Sequence, residues 1–342
     1  MTIALPSLLK IELDRLQFDK TDKFIWIEQI PIGFGGQISR RLLGLKLALA
    51  LDRKAVFSDV ADAPYLQTLE AQDVGAPDID WSLYELFDPL APQADAYLRF
   101  EYEGASRRLK DHGYIESWAR DKIIARFELP ADYNVDGEIL KWMRLIPSVA
   151  AEIESARIRL GISSTTLGVH FRRGDKTVES AYVPAAHFND AILRVFETWR
   201  FESLFLASDS PKAIEEIKTP PGVRVIFDFE EIRYNNANHK MLFRNPALAQ
   251  QETYTAAKNL ALLSACGGVV GQDNAHFATL SAAVVAANFS DKRRILLLHG
   301  QVAELESPSL RRYFEVKRTI RKFARACVPD EVRVKLLRFK LF

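Results

Sequence analysis

The sequence predicts an α/β fold built as two Rossmann-like halves, and three observations carry that prediction. The chain has 342 residues, 48% hydrophobic and 27% charged, an ordinary globular balance at a length that suits two domains. Short apolar runs such as Phe24-Ile25-Trp26-Ile27 and Thr166-Leu167-Gly168-Val169 read as buried strands, and segments with helical periodicity follow them. Charged residues also gather directly after one of those runs, at 170–179, and strand ends are where open α/β sheets put their ligands.

The elements follow in order. Residues 24–27 are a first strand, Gly33-Phe34-Gly35-Gly36 a glycine loop, 38–51 an apolar-rich helix with Arg40 and Arg41 on its first turn, and 55–59 a second strand. That order predicts a parallel crossover unit. Residues 60–135 carry Pro64, Pro77, Pro89 and Pro92 among many acids, which predicts short helices and long loops. Residues 137–159 read as a helix interrupted near Pro147. Strands at 166–171, 203–207, 223–228, 269–270 and 295–298 then alternate with helices at 184–198, 211–217, 250–264 and 275–286. The expected division is an N-terminal α/β domain over 1–160, a C-terminal Rossmann-like domain over 161–305 and a basic tail over 306–342.

Formal net charge is +1, so no global preference for polyanions follows. The distribution is uneven: 311–342 holds eleven Lys/Arg against three Asp/Glu, about +8, which leaves about −7 for the rest. Cations alternate there with Tyr313, Phe314, Phe323, Phe339 and Phe342. Two readings stay open: an amphipathic helix on an anionic membrane surface, through 310–342, or a terminal helix packed back across the domains. No nucleic-acid module accompanies the charge, so no nucleic-acid partner is expected. Cys266 and Cys327 imply neither a disulfide framework nor a metal site. Residues 1–16 lack the apolar core of a signal peptide, and no apolar run approaches the length of a membrane span. A cytoplasmic location, with contact at the inner membrane surface as an option, is expected.

The segment His170-Phe171-Arg172-Arg173-Gly174-Asp175-Lys176-Thr177-Val178-Glu179 carries the chemistry. Arginine offers a planar fork of donors that matches phosphate, and lysine adds a compact charge. A nearby carboxylate can orient the arginines or accept a proton. Strand alternation sends His170 and Arg172 to one face and Arg173 to the other, so one arginine can grip a diphosphate while the other braces the loop. The alternatives are a solvated charge cluster, a salt bridge from Arg172 to Asp175 or Glu179, and a core histidine at 170. The glycine loop has neither the dinucleotide spacing nor the P-loop Gly-Lys-Ser/Thr, so it is a close-approach loop or a tight turn. The histidines form no zinc spacing. Asp78-Ile79-Asp80 has metal–diphosphate form but follows Pro77 rather than a buried strand.

His-x-Arg-Arg-x-Asp-Lys resembles the signature of fucosyltransferases that use GDP-fucose, above all the α1,6-fucosyltransferase family (glycosyltransferase family 23), which includes the bacterial nodulation fucosyltransferases. Gly33-Phe34-Gly35-Gly36-Gln37, Phe205-Leu206-Ala207-Ser208-Asp209-Ser210-Pro211 and the unit from Leu260 to Phe277 resemble three further family segments, in the same order. The similarity spans roughly residues 24–285. It implies a GT-B-like arrangement of the two α/β halves and inverting transfer of fucose from GDP-fucose to a glycan or lipid-linked oligosaccharide acceptor. Animal relatives are Golgi-anchored; this chain reads as a bacterial-type enzyme without that anchor.

The resemblance also implies roles. Arg172 and Lys176 contact the diphosphate, Asp175 orients the arginines, and His170 lies near the nucleotide, with Arg173, Gly35 and Gly36 in the donor site. Glu179 is the candidate base, although it comes three residues after Lys176 where the family has four; Asp209 is the fallback. The family's guanine-reading aspartate is Asn259 here, and its Ser-Ser pair near the phosphates is matched by Asn274 and Ala275. Asp273 is a guanine reader or a helix cap. Neither a cofactor nor a metal is expected, since the basic residues supply the electrostatics. Two other readings stay open: the same fold with another nucleotide sugar, and a non-catalytic nucleotide-sugar-binding protein.

Overall fold

A computed structural model describes residues 5–29, 32–58, 80, 82, 85–89, 96–101, 112–173, 183–233 and 245–299. Two all-parallel sheets organise it, one in each half. The expected two-half α/β architecture is the observed one.

The N-terminal sheet contains β1 (Phe24–Ile27), β2 (Lys54–Phe57), β3 (Glu85–Leu86) and β4 (Tyr97–Phe100), in the order β2-β1-β4-β3. Parallel pairing joins Phe24 to Lys54 on one side of β1 and to Tyr97 on the other. Helix α1 (Leu5–Phe18) places Leu9, Leu13 and Leu16 in the core, a helical spacing that buries one stripe. Helix α2 (Phe34–Leu51) makes the β1–β2 crossover and is buried along nearly its whole length. It begins four residues earlier than the sequence predicts, so Gly35 and Gly36 form its first turn rather than a loop.

The proline-rich stretch holds more regular structure than expected. β4 is the inner partner of β1, and α3 (His112–Arg126) is a full helix. Four-residue strands give little periodicity to read, whereas the pairing that fixes β4 is tertiary. Pro147 behaves as predicted, separating α4 (Val135–Trp142) from α5 (Pro147–Leu160) by standing at the start of the second helix. Gly161 closes α5 at φ 69°, the left-handed conformation that glycine adopts at low cost.

The C-terminal sheet contains β5 (Thr166–His170), β6 (Ser203–Ala207), β7 (Arg224–Ile226), β8 (Gly268–Gln272) and β9 (Ile295–Leu298), in the order β7-β6-β5-β8-β9. Its helices are α6 (Ala185–Thr198), the single turn α7 (Ala213–Glu216), α8 (Pro246–Ser264) and α9 (His276–Asn288). Asn245 caps α8 by accepting from the N–H groups of Ala247 and Leu248, ahead of a proline that lacks a donor. One hydrophobic cluster runs through both halves, joining Leu45 and Ile25 to Phe205, Leu262 and Cys266. Among the described residues no helix is long and apolar enough to cross a membrane. The basic stretch 310–342 and Cys327 lie outside the described residues.

Candidate functional site

In an open parallel sheet the chain winds outward in both directions from one pair of strands, and a crevice forms at their C-terminal ends. In the C-terminal sheet that pair is β5 and β8: the chain runs from β5 to β6 and β7 on one side, and β8 and β9 lie on the other. The 170–173 segment leaves β5 at this point, and Gln272-Asp273-Asn274-Ala275 leaves β8 beside it.

His170 ends β5 with its ring stacked on Phe277, centroids 5.5 Å apart and planes 14° from parallel. Its Nδ1 is buried without a hydrogen-bond partner. Burial, followed by the charge of Arg172, pushes its pKa down to about 3, so the ring is neutral at physiological pH. Arg172 is therefore close enough for its charge to act on the ring.

Arg173 is committed to the protein. Its backbone N–H donates to Asp209 Oδ1 at 2.6 Å, its Nε to Glu216 at 3.2 Å and its Nη1 to the Val183 carbonyl at 3.0 Å. Its guanidinium lies 3.8 Å above the buried ring of Phe171. Asp209, at the end of β6, thus holds the backbone of the β5 exit. Asp175, Lys176 and Glu179 lie outside the described residues.

Two helices begin at this crevice. α9 starts at His276 with Ala275 as its N-cap, and α2 starts at Phe34 with Gly33 as its N-cap; neither cap residue supplies a side-chain hydrogen bond. They touch. A Cβ on Gly35 would stand 2.8 Å from His276 Cβ and 3.1 Å from the Phe277 ring, so only glycine permits this approach. Ser39 Oγ and His276 Nδ1 are 2.8 Å apart across the same junction. A Cβ on Gly36 would meet only the flexible end of the Ile32 side chain, Cδ1 at 2.6 Å, so this position is less strictly confined to glycine than Gly35. The two helices thus bring the positive ends of their dipoles together, an arrangement that favours negative charge.

Asp273 is not the cap of α9. Its carboxylate meets His299 Nδ1 at 2.7 Å at the end of β9, and Asn274 is exposed next to it. Asn259 points elsewhere as well: its Nδ2 donates to Glu231 Oε1 at 2.6 Å.

That contact belongs to a buried ionic network which sequence reasoning missed. Lys258 Nζ lies 2.8 Å from Asp228 and 3.5 Å from Glu231. Arg233 pairs with Glu231 at 3.0 Å, donates to the Ser208 and Asp228 carbonyls and covers the Phe227 ring. Arg159 reaches Asp228 at 3.3 Å. Burial works against the Asp228 carboxylate, but Lys258 and Arg159 together hold it below the usual range. For Glu231 burial prevails and pushes the carboxyl up despite Lys258 and Arg233. The network ties the ends of β6 and β7 to α5 and α8. The spacing Asp228-x-x-Glu231-x-Arg233 after a strand was the only signal for it in the sequence.

No family model matches the chain, and no curated protein does. Among solved structures it is similar to fucosyltransferase NodZ from Bradyrhizobium, at 13% identity and a TM-score of 0.43, over 78% of this chain and 94% of that one. It is similar to POFUT1 in complex with GDP-fucose at 12% identity and a TM-score of 0.47, over 82% and 99%. A variant of Arabidopsis thaliana FUT1 in complex with GDP gives 12% identity and a TM-score of 0.46, over 81% and 72%. At these values the functional reading rests on the chain's own residues.

Proposed function

We propose that the protein is a GT-B-like glycosyltransferase that binds a nucleoside diphosphate sugar at the β5–β8 crevice, with GDP-fucose as donor and a glycan hydroxyl as acceptor. One observation carries this reading. Arg172 follows the C-terminal end of β5, whose last residue, His170, stacks on Phe277 in the first turn of α9, and the N-terminal turn of α9 is docked on that of α2. Cation and paired helix dipoles suit a diphosphate, which carries charge in the ground state and gains more as it leaves.

In the proposed step the acceptor oxygen attacks the anomeric carbon on the face opposite GDP. The bond from that carbon to the β-phosphate oxygen breaks, and its electron pair goes to the diphosphate. The hydroxyl proton passes to a carboxylate, and a β-linked donor gives an α-linked product. Glu179 is the base in this reading, with Asp209 as the alternative. Asp209 already accepts from Arg173, which favours it as a positioning residue. Arg172, Lys176 and the helix termini supply the positive charge, so transfer proceeds without a metal. Replacing Arg172 by Ala should abolish release of GDP from GDP-fucose across a glycan acceptor panel while leaving thermal unfolding unchanged. Undiminished turnover in Arg172→Ala would refute the assignment.

A further inference from the structure

The junction of α2 and α9 holds a histidine whose proton is placed by its neighbour. Phe277 stacks on His170 at the end of β5, and its ring centroid is 6.2 Å from that of Phe34, the first residue of α2. β8 meets the same corner, since a Cβ on Gly271 would stand 3.5 Å from His170 Cβ. His276 precedes Phe277, and its Cβ lies against Gly35. The residue is exposed, yet its Nδ1 lies 2.8 Å from Ser39 Oγ.

Which atom holds the proton in that bond decides what the ring can do. Serine hydroxyls inside helices commonly donate to the carbonyl four residues back. Ser155 does so to Ala151, and Ser264 to Leu260. Among the described residues Ser39 makes no such bond, and its hydroxyl meets the imidazole instead. The hydroxyl proton is therefore available to Nδ1. With Nδ1 accepting, the neutral ring carries its own proton on Nε2. The positive end of α9 favours this neutral form over an imidazolium.

A ring N–H of fixed tautomer suits an anion's oxygen. It does not suit a metal ion, which needs the lone pair that Nε2 has lost. The corner is also short of one polar partner: His170 Nδ1 is buried with none. Such gaps call for a cause, a bound group among them.

We propose that His276 Nε2–H donates to a diphosphate oxygen of the nucleotide sugar, and that Ser39, from the N-terminal half, is the positioning residue that fixes this tautomer. This deepens the nucleotide-sugar reading and rests on it.

The test uses the full chain and its variants His276→Gln, His276→Asn and Ser39→Ala. A glutamine amide reaches the place of Nε2, an asparagine amide only that of Nδ1. Each protein is titrated with GDP. Nitrogen NMR of the imidazoles reads the tautomer, the His276 signals being those absent from His276→Gln. A loss of about tenfold in GDP affinity in His276→Asn, against no more than about threefold in His276→Gln, is expected. The wild type should carry its proton on Nε2, and Ser39→Ala should show both tautomers. Equal losses in the two His276 variants assign the residue to packing and overturn the proposal. Wild-type affinity in both variants, or a wild-type proton on Nδ1, overturns it as well. If the wild type binds no GDP, the nucleotide reading fails. The histidine contact then stands only if inorganic pyrophosphate binds the wild type and is held about tenfold more weakly by His276→Asn; otherwise it falls too.

Discussion

The crevice of the C-terminal sheet and that of the N-terminal sheet occupy equivalent places in their halves and carry opposite chemistry. At the end of β5 stand Arg172, a neutral ring at His170 and the first turn of α9. Just past the end of β1 stands the uncharged amide of Gln29, and Gln37 lies in α2; both leave hydrogen bonds unmet. The same topological position thus carries a cation in one half and uncharged amides near it in the other. Gly35 joins the two, because its missing Cβ lets α2 rest on α9. The strand ends set where ligands go, and the side chains decide which ligand each crevice takes.

Arg172→Ala should break this contrast most severely. It removes the charge that distinguishes the C-terminal crevice, with an expected loss of about 100-fold or more in turnover and roughly 10- to 100-fold in GDP affinity. Steady-state kinetics and titration check both. Lys258→Met acts on stability instead. It leaves Asp228 and Glu231 buried without their shared cation, which should cost about 3–5 kcal/mol in urea unfolding.

Gly35→Ala tests the junction. The added methyl meets His276 and Phe277, so overpacking of about 1–3 kcal/mol is expected, together with weaker nucleotide binding. Gly33→Ala is the control, since nothing lies within 4 Å of its Cβ. It should leave both quantities nearly unchanged.

The smallest effect concerns pH. An unfolded histidine titrates near 6.5, whereas folded His170 stays neutral down to about 3. Between those values the unfolded state binds a proton that the folded state does not, so stability falls as pH drops below about 6.5. His170→Phe keeps an aromatic ring against Phe277 and removes this group. The wild type should lose up to roughly 1.4 kcal/mol more than the variant from pH 6.5 to 5.5, read by denaturant titration at each pH. Equal losses in both proteins would contradict the buried, neutral assignment.

The two crevices also differ in how far the sequence reveals them. The β5 end was legible, because basic residues after an apolar run are conspicuous and because His170-Phe171-Arg172-Arg173 alternates faces as a strand requires. The strand–helix order of the C-terminal half was legible for the same reason, down to β6 at 203–207. Gln29 was not, since a single glutamine after Phe24-Ile25-Trp26-Ile27 has no periodic or compositional signature. β4 was obscured by its short length and by the prolines around it. The Asp228–Glu231–Lys258 network depends on residues far apart in sequence that meet only when the segment after β7 reaches α8. Gly35 read as a loop glycine because its role, contact with a residue 241 positions later (His276), is purely tertiary.

The central claim is that the C-terminal crevice binds a guanine nucleotide through its own cations and helix termini. Calorimetric titration of the full chain with GDP, GDP-fucose and UDP, with and without EDTA, tests it most directly. Binding selective for GDP and GDP-fucose, unchanged by EDTA, is the predicted result. No binding of GDP, a preference for UDP, or binding abolished by EDTA would contradict it.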